Sequence, residues 1–328
     1  MGPATDKYGR VIDYLRISIT DRCNLRCIYC MPAGGIRPIE YRSLLSYEEI
    51  ARVVTVAARL GVGKVRITGG EPLVRKNLPF LIEAISLIAG IEDISLTTNG
   101  LLLKQLAGSL ASAGLDRVNV SLDSLYPERY RQITRGGDMY DVLDGIAGAE
   151  KAGLLPVKVN MIPMRGINDD EIENFARITM RTPFHVRFIE CMPTGVRDLR
   201  NRGLSIPTGE IKERVTRLGA LTPVTVRKQG PARYFRFDGA PGVLGFISPV
   251  THHFCESCNR LRLTSDGKLR PCLFSEMELD VKSALRSGAP DSEIERLLRL
   301  AVEVKPERHA IASQQNFDHL RPMSTIGG

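Results

Sequence analysis

Two hydrophobic patterns alternate along the first 190 residues of the chain. Short runs in which every second side chain is apolar predict β-strands, and longer runs with apolar side chains three or four positions apart predict helices. The strands are predicted at residues 14–19, 64–68, 93–97, 117–121, 157–161 and 185–190. The helices are predicted at residues 47–60, 78–89, 102–113, 140–152 and 169–180. Strands that alternate with helices indicate a parallel α/β fold, and six such units predict a partial (β/α)6 barrel of the TIM type.

The pattern changes after about residue 220. Strands are then predicted at residues 225–227, 234–237, 243–247 and 260–264, with turns rich in Gly and Pro between them and a helix at residues 292–302. Closely spaced strands without intervening helices indicate a smaller β-rich region. We therefore expect two domains, the partial barrel at residues 6–220 and the C-terminal region at residues 221–328.

One face of nearly every predicted barrel strand is polar. Because side chains alternate across a strand, the basic residues Arg16, Arg66, Lys158 and Arg187 fall on these polar faces. An amphipathic sheet with one wet face would show the same pattern. The lumen of a packed barrel is instead filled by Val, Ile and Leu. We favour a barrel whose lumen is a positively charged ligand site, which would suit several phosphates better than duplex nucleic acid.

Composition and charge narrow the possibilities. The chain has 45 Lys and Arg against 37 Asp and Glu, a net charge of +8, and 43% hydrophobic residues, which is ordinary for a folded globular protein. The positive charge is compatible with plain solubility or with an anionic partner. No apolar run reaches the roughly 18 residues of a membrane span, and the N-terminus lacks the apolar stretch of a secretory signal. We expect a cytoplasmic protein.

Six of the seven cysteines form two triplets, and Cys191 stands alone. The first triplet, with the spacing C-x3-C-x2-C directly after the first strand, comprises Cys23, Cys27 and Cys30. The second, with the spacing C-x2-C-x13-C, comprises Cys255, Cys258 and Cys272. Cytoplasmic cysteines are reduced, so such groups indicate metal sites. Iron–sulfur clusters and zinc are both possible at this point, and His252 or His253 could complete a zinc site at the second triplet.

Three further loops follow predicted strands. Their sequences are Gly69-Gly70-Glu71-Pro72, Thr97-Thr98-Asn99-Gly100 and Ser121-Leu122-Asp123-Ser124. Each alone could be a turn or a helix cap. We expect them beside the first cysteine triplet, because the carboxyl ends of barrel strands form one face, where the active sites of such barrels lie. Arg260 and Arg262 alternate on one strand face beside the second triplet, and guanidinium groups bind phosphate well.

In these motifs the chain resembles the radical S-adenosylmethionine superfamily and, within it, the GTP 3′,8-cyclases of molybdenum cofactor biosynthesis. The C-x3-C-x2-C spacing and the Gly-Gly-Glu-Pro loop are typical of the superfamily. Four further features are similar to the GTP 3′,8-cyclases in particular: the second cysteine triplet, the segment Phe188-Ile189-Glu190, the segment Met192-Pro193-Thr194-Gly195 and the terminal Gly327-Gly328. The resemblance extends over residues 6–328.

The resemblance implies roles for individual positions. The first triplet would hold a 4Fe-4S cluster that cleaves S-adenosylmethionine, and the second would hold a 4Fe-4S cluster facing the guanine of GTP. S-adenosylmethionine would be contacted by Tyr29, Gly70, Ser121 and Met192. GTP would be bound by Arg16, Arg66, Thr97, Lys158, Arg260 and Arg262, with Arg187 close by. The Gly-Gly end would reach the active site.

The implied activity is that of a lyase, a radical cyclisation of GTP to (8S)-3′,8-cyclo-7,8-dihydroguanosine 5′-triphosphate. The partners would be GTP, a reducing electron donor and a downstream cyclic pyranopterin monophosphate synthase, with no nucleic acid and no membrane. The chain would be a monomer or a homodimer. One alternative is another radical S-adenosylmethionine enzyme with an auxiliary cluster.

The other alternative is a zinc-stabilised nucleic-acid-binding protein. It predicts basic residues interleaved with aromatic residues on an outer surface. The chain is only 6% aromatic and has no Trp, and its sequence shows no such stripe.

Overall fold

The computed structural model describes residues 2–192, 203–226, 230–309, 321 and 323–327. A twelve-stranded sheet runs through it. The strands are β1 (Tyr14–Ser18), β2 (Lys64–Thr68), β3 (Asp93–Thr98), β4 (Arg117–Ser121), β5 (Lys158–Met161), β6 (His185–Ile189), β7 (Leu221–Val224), β8 (Arg233–Phe237), β9 (Val243–Ile247), β10 (Arg260–Leu263), β11 (Lys268–Arg270) and β12 (Leu279–Asp280). The helices of the described residues are α1 (Tyr47–Arg59), α2 (Leu78–Ser86), α3 (Leu103–Ser112), α4 (Pro127–Thr134), α5 (Met139–Lys151), α6 (Ile172–Arg181), α7 (Thr208–Thr216), α8 (Val281–Arg286), α9 (Asp291–Glu303) and α10 (Met323–Ile326).

Strands β1 to β6 lie side by side in chain order, and each neighbouring pair is parallel. All six strands predicted from the sequence are present, and their ends differ from the prediction by no more than one residue. This confirms the α/β fold with a parallel sheet. The described strands form an open sheet and do not close into a full barrel.

The C-terminal strands extend the same sheet at both edges. β10 pairs in parallel with β1 and is followed outward by β11 and β12, whereas β9 pairs in parallel with β6 and is followed by β8 and β7. The strand predicted at residues 225–227 is wrong. The strand is β7, which contains Pro223 and lies at the edge of the sheet, where a proline costs no ladder hydrogen bond. Residue 227 lies outside the described residues.

The apolar positions of the strands pack against the helices. Ile17, Val65 and Leu96 are buried in the main hydrophobic core, together with Ile50 and Val54 of α1. Helix α1 begins with a capping box, because Ser46 Oγ accepts from the Glu49 backbone N–H at 3.1 Å and the Glu49 carboxylate accepts from the Ser46 N–H at 2.7 Å. The polar strand positions are therefore left for the opposite, inner face. Within the described residues, no helix combines the length and apolarity needed to cross a membrane.

Candidate functional site

The register of the sheet brings basic side chains of neighbouring strands into a row. Arg16 of β1 lies opposite Arg262 of β10 on one side and Arg66 of β2 on the other. The row continues through Ser95 of β3 to Arg117 of β4. Arg117 is ion-paired with Asp93. Like charges directly opposite each other destabilise a sheet, so an anionic ligand would relieve the repulsion among Arg262, Arg16 and Arg66.

Burial perturbs these basic groups further. Loss of water lowers the pKa of Arg16 well below its usual value, and the charges of Arg262 and Arg66 lower it more. Burial and the charge of Arg187 lower the pKa of Lys158 to about 6. In each case burial and nearby positive charges disfavour the charged form of the side chain. The phosphate groups of a ligand would stabilise the charged form.

Two amide side chains orient Arg187 on the inner face. Its Nε donates to the Asn160 side-chain oxygen at 2.7 Å and its Nη2 to that of Asn119 at 2.6 Å. Gly245 on β9 makes room for it, because a Cβ there would lie 2.8 Å from Cγ of Arg187. Neither asparagine is a predicted site residue, although both lie on the predicted polar strand faces.

The first cysteine triplet lies in the loop that follows β1. Backbone hydrogen bonds fix this loop, since Ile28 N–H donates to the Ile133 carbonyl in α4 at 2.9 Å and Cys30 N–H donates to the Cys27 carbonyl at 2.9 Å. The side chains of Cys23, Cys27 and Cys30 line a cavity of about 320 Å³ on the inner face of the sheet.

The second cysteine triplet lines the same cavity from the other end of the strands. β10 runs parallel to β1, and Cys258 comes just before β10, whereas the first triplet comes after β1. Lys305 is buried and ties the two cysteine-bearing segments together, since Nζ donates to the carbonyls of Arg260 and Pro271 at 2.7 Å each. Pro271 is followed directly by Cys272. The row of arginines therefore lies between the two triplets.

Each cysteine triplet presents three thiols on the wall of the cavity, and the chemistry of these donors indicates what the site could hold. His252 and His253 are exposed and do not line the cavity. Two sets of three thiols around one cavity fit 4Fe-4S clusters that each keep one iron open.

The two glycines of the Gly-Gly-Glu-Pro loop pack against the backbone of the first cysteine loop. Gly70 N–H donates to the Thr20 carbonyl at 2.7 Å. A Cβ at Gly69 would lie 2.6 Å from the carbonyl oxygen of Thr20, and a Cβ at Gly70 would lie 2.4 Å from that of Arg22. Only glycine fits at either position, because the opposing atoms are backbone and cannot rotate away.

Two buried carboxylates connect the loops around the first triplet. Glu71 accepts hydrogen bonds from the Thr98 hydroxyl and the Asn99 N–H, each at 2.7 Å. Asp123 accepts from the Tyr29 hydroxyl at 2.6 Å. Burial raises the pKa of Glu71 to about 7 and that of Asp123 to about 6. Both residues lie in motifs that the sequence showed, but their partners are distant in sequence.

Most of the predicted site residues meet at the cavity. Those that line it, besides the six cysteines, are Tyr29, Gly70, Ser121, Met192, Arg16, Arg66, Thr97, Arg260 and Arg262. Lys158 does not line it. That residue is buried, with Nζ 5.8 Å from the ring centroid of Tyr234. Oγ1 of Thr97 is buried and has no hydrogen-bond partner among the described residues, which leaves it available to a ligand.

The C-terminal end also reaches this site. A guanidinium nitrogen of Arg262 donates to the carbonyl of Gly327, and Met323 and Ser324 line the cavity. Arg321 anchors the segment through ion pairs with Asp266 at 2.9 Å and with Glu278. Gly328 and the motif at residues 193–195 lie outside the described residues.

Replacing Gly70 by Ala is expected to distort the first cysteine loop and to destabilise the protein by about 1–3 kcal/mol, as overpacking does. The new Cβ would meet the Arg22 carbonyl at 2.4 Å. Iron content after anaerobic reconstitution and the denaturation midpoint measure the effect. Gly34→Ala is the matched control, because a Cβ there meets nothing within 4 Å. Equal iron content and stability in the two variants would contradict the prediction.

Comparison with known proteins agrees with this geometry. The profile of the Radical SAM superfamily matches residues 17–178, and that of the Molybdenum Cofactor Synthesis C family matches residues 184–311. A crystal structure of Streptococcus suis SuiB bound to S-adenosylmethionine has the same fold, with a TM-score of 0.60 over 95% of this chain and 68% of that chain at 16% identity. The fold and the first cysteine loop thus define a radical S-adenosylmethionine enzyme.

Relatives that match nearly the whole chain show which family within this class the chain belongs to. The GTP 3′,8-cyclases of Thermodesulfovibrio yellowstonii and Heliobacterium modesticaldum are 54% and 50% identical to this chain over 325 residues, which is 98% of this chain and 99% of each relative. The enzyme of the same description from Moorella thermoacetica is 50% identical over 324 residues, with the same coverage. The chain belongs to the GTP 3′,8-cyclase family.

Proposed function

We propose that this chain converts GTP to (8S)-3′,8-cyclo-7,8-dihydroguanosine 5′-triphosphate, the first step of molybdenum cofactor biosynthesis. The observation that carries the proposal is one cavity with a cysteine triplet at each end and a row of half-buried and buried arginines between them. A substrate with a polyphosphate and a heterocyclic base suits such a cavity. Membership of the GTP 3′,8-cyclase family supports the same assignment.

The side chains present fit the cofactors that the family implies. Cys23, Cys27 and Cys30 would hold one 4Fe-4S cluster, and its open iron would bind S-adenosylmethionine. When bound and supplied with one electron by a reducing donor, these two groups would provide radical chemistry at the substrate. The chain's own contribution at this end is to orient the cofactor, for which we propose the residues Tyr29, Gly70, Ser121 and Met192.

At the other end, Cys255, Cys258 and Cys272 would hold a second 4Fe-4S cluster beside the guanine. We propose that the triphosphate is bound by Arg16, Arg66, Thr97, Lys158, Arg260 and Arg262. Fixing the substrate between two positioned groups converts the reaction into an effectively unimolecular step. The apolar side chains Ile189, Ile247 and Phe254 on the cavity wall limit access of water to the reacting carbon.

The organisation and partners follow from this proposal. Residues 6–220 would act as the radical-generating barrel and residues 221–328 as the auxiliary-cluster region. A reducing donor would deliver electrons, and a cyclic pyranopterin monophosphate synthase would receive the product. We place the reaction in the cytoplasm, with the chain as a monomer or a homodimer.

The test is an anaerobic assay of the reconstituted enzyme with S-adenosylmethionine, dithionite and GTP deuterated at C3′. The expected result is deuterium in the 5′-deoxyadenosine and one cyclised product per cofactor cleaved, from protein with roughly eight irons. Cofactor cleavage without a GTP-derived product would favour a different radical S-adenosylmethionine enzyme. Zinc without iron would favour the nucleic-acid-binding alternative.

A further inference from the structure

We propose that the outer surface of the first cysteine loop is the docking site for a small acidic one-electron carrier protein. This surface, called the loop face below, is formed by residues 21–38 and by the C-terminal end of α4 with the turn that follows it. The proposal rests on the proposed function, because that chemistry requires an electron to reach the first triplet.

The loop face is close to the cavity that both cysteine triplets line. A second cavity opens behind this loop and is lined by Arg22, Cys23, Arg26 and Pro38, among others. Of the six cysteines in the triplets, Cys23 is the one that lines both cavities. An electron transferred at the loop face therefore has a short path through its sulfur. Electron transfer slows steeply with distance, so this is the favourable place for a carrier to dock.

The loop face carries a concentration of positive charge. Arg22, Arg37, Arg131 and Arg135 are exposed, and Arg26 is half-buried. None of the five forms an ion pair with a carboxylate of the described residues. Many other surface arginines do form such pairs, as Arg52 does with Asp291 at 2.9 Å. The loop face therefore presents uncompensated charge, which attracts and orients an acidic partner.

Part of this charge is held in place by the backbone of the loop. Arg26 Nη1 donates to the carbonyls of Cys23 and Leu25 at 2.7 and 2.9 Å. Arg135 Nη1 donates to the carbonyls of Arg26 and Met31 at 3.1 and 3.0 Å. Side chains that are already ordered cost little entropy when a partner binds. Residues 32–34, which are Pro, Ala and Gly, are exposed and small, so a partner can approach the backbone closely.

The composition of the face favours a redox protein over a nucleic acid. Single-stranded nucleic acids stack on exposed aromatic side chains. The aromatic residue within residues 21–38 is Tyr29, whose hydroxyl is turned to Asp123. A flavin or iron–sulfur carrier with an acidic surface fits both the charge and the position. One electron leaves the reduced carrier, which is oxidised by one unit, and the cluster held by the loop is reduced by one unit, with no bond made or broken.

The test uses a charge-reversed double variant, Arg37→Glu with Arg131→Glu, in the reconstituted enzyme. Neither residue lines either of the two cavities described above. The control is Arg177→Glu with Lys151→Glu, which makes the same charge change at exposed positions of α6 and α5. The probe is a reduced acidic flavodoxin. Binding is measured by anaerobic titration at about 50 and 300 mM salt, where screening differs strongly, and cluster reduction is followed by electron paramagnetic resonance.

We expect the loop-face variant to bind flavodoxin about tenfold more weakly than the control and to be reduced by it correspondingly slower. Reduction by dithionite and the iron content should not change. The proposal would be overturned if both double variants lost flavodoxin binding equally, or if the loop-face variant bound flavodoxin unchanged. It would also be overturned if the loop-face variant lost binding to a single-stranded RNA but kept its binding to flavodoxin. If flavodoxin binds as expected but dithionite-reduced enzyme leaves GTP unchanged, the docking site stands and the proposed function fails.

Discussion

Cys27→Ala is expected to remove the first cluster and to abolish cleavage of S-adenosylmethionine. Each cysteine of the triplet would ligate one iron, and alanine offers no atom that could take the place of the thiolate. Roughly half of the irons should be lost. The rate of 5′-deoxyadenosine formation should fall by more than about 100-fold. This is a larger loss than the roughly 10- to 100-fold effect typical of replacing a residue that only hydrogen-bonds to a metal ligand. Iron and sulfide analysis and product quantification measure both effects.

Cys191→Ala is the control for this experiment. Cys191 lies on the wall of the same cavity but outside both triplets. The exchange removes a thiol from the same surroundings, so iron content and activity should remain close to those of the unaltered enzyme. A full iron complement in Cys27→Ala, or an equal loss of iron in Cys191→Ala, would show that the first triplet is not the cluster site.

The sequence predicted which side chains share a strand face, because the alternation of side chains along a strand does not depend on tertiary structure. It could not predict which residues lie opposite each other across strands. Arg16 stands between Arg262 and Arg66 because β10 pairs with β1, a strand about 250 residues earlier in the chain. The parallel row of arginines, and the repulsion within it, therefore became visible only with the register.

Residues that act through partners distant in sequence leave little signal in the sequence. Lys305 alone forms no motif, yet its ammonium group holds the carbonyl of Pro271 beside the second triplet. Asp123 lies in a loop motif, but its bond to Tyr29 joins loops that lie far apart in sequence. Short elements were missed for a different reason. α4 is short and polar, so it lacks the apolar periodicity on which helix prediction rests.

The position of the second triplet shows how the C-terminal region contributes to the site. Had this region folded as a separate sheet, its cysteines would have had no fixed relation to the barrel strands. Because β10 extends the sheet next to β1, Arg260 and Arg262 join the same inner face as Arg16. One continuous sheet thus fixes both cysteine triplets and the basic row relative to each other, which a radical transferred between two bound molecules requires.

Lys158→Met is expected to weaken GTP binding by about tenfold, because a positive charge close to the proposed phosphate site is lost, while it stabilises the folded enzyme. Burial and Arg187 lower the pKa of Lys158 to about 6 in the folded chain, against about 10.5 for an exposed lysine. Between these values the unfolded chain binds a proton that the folded chain does not. The stability of the unaltered enzyme should therefore rise with pH across this window, by at most about 1.4 kcal/mol per pH unit. Met removes this pH-dependent cost.

Denaturation midpoints and anaerobic GTP titrations between about pH 6.5 and 9 test both effects on one pair of proteins. The stability advantage of Lys158→Met should shrink as pH rises, because folding of the unaltered enzyme releases the lysine proton and this release costs less free energy at higher pH. GTP affinity of the unaltered enzyme should fall over the same range, since bound phosphates favour the protonated lysine and binding must then take up a proton. Lys151→Met, at an exposed position, should change neither dependence. Parallel pH profiles for the unaltered enzyme and Lys158→Met would mean that Lys158 keeps its proton in the free enzyme, with a counter-charge already in place.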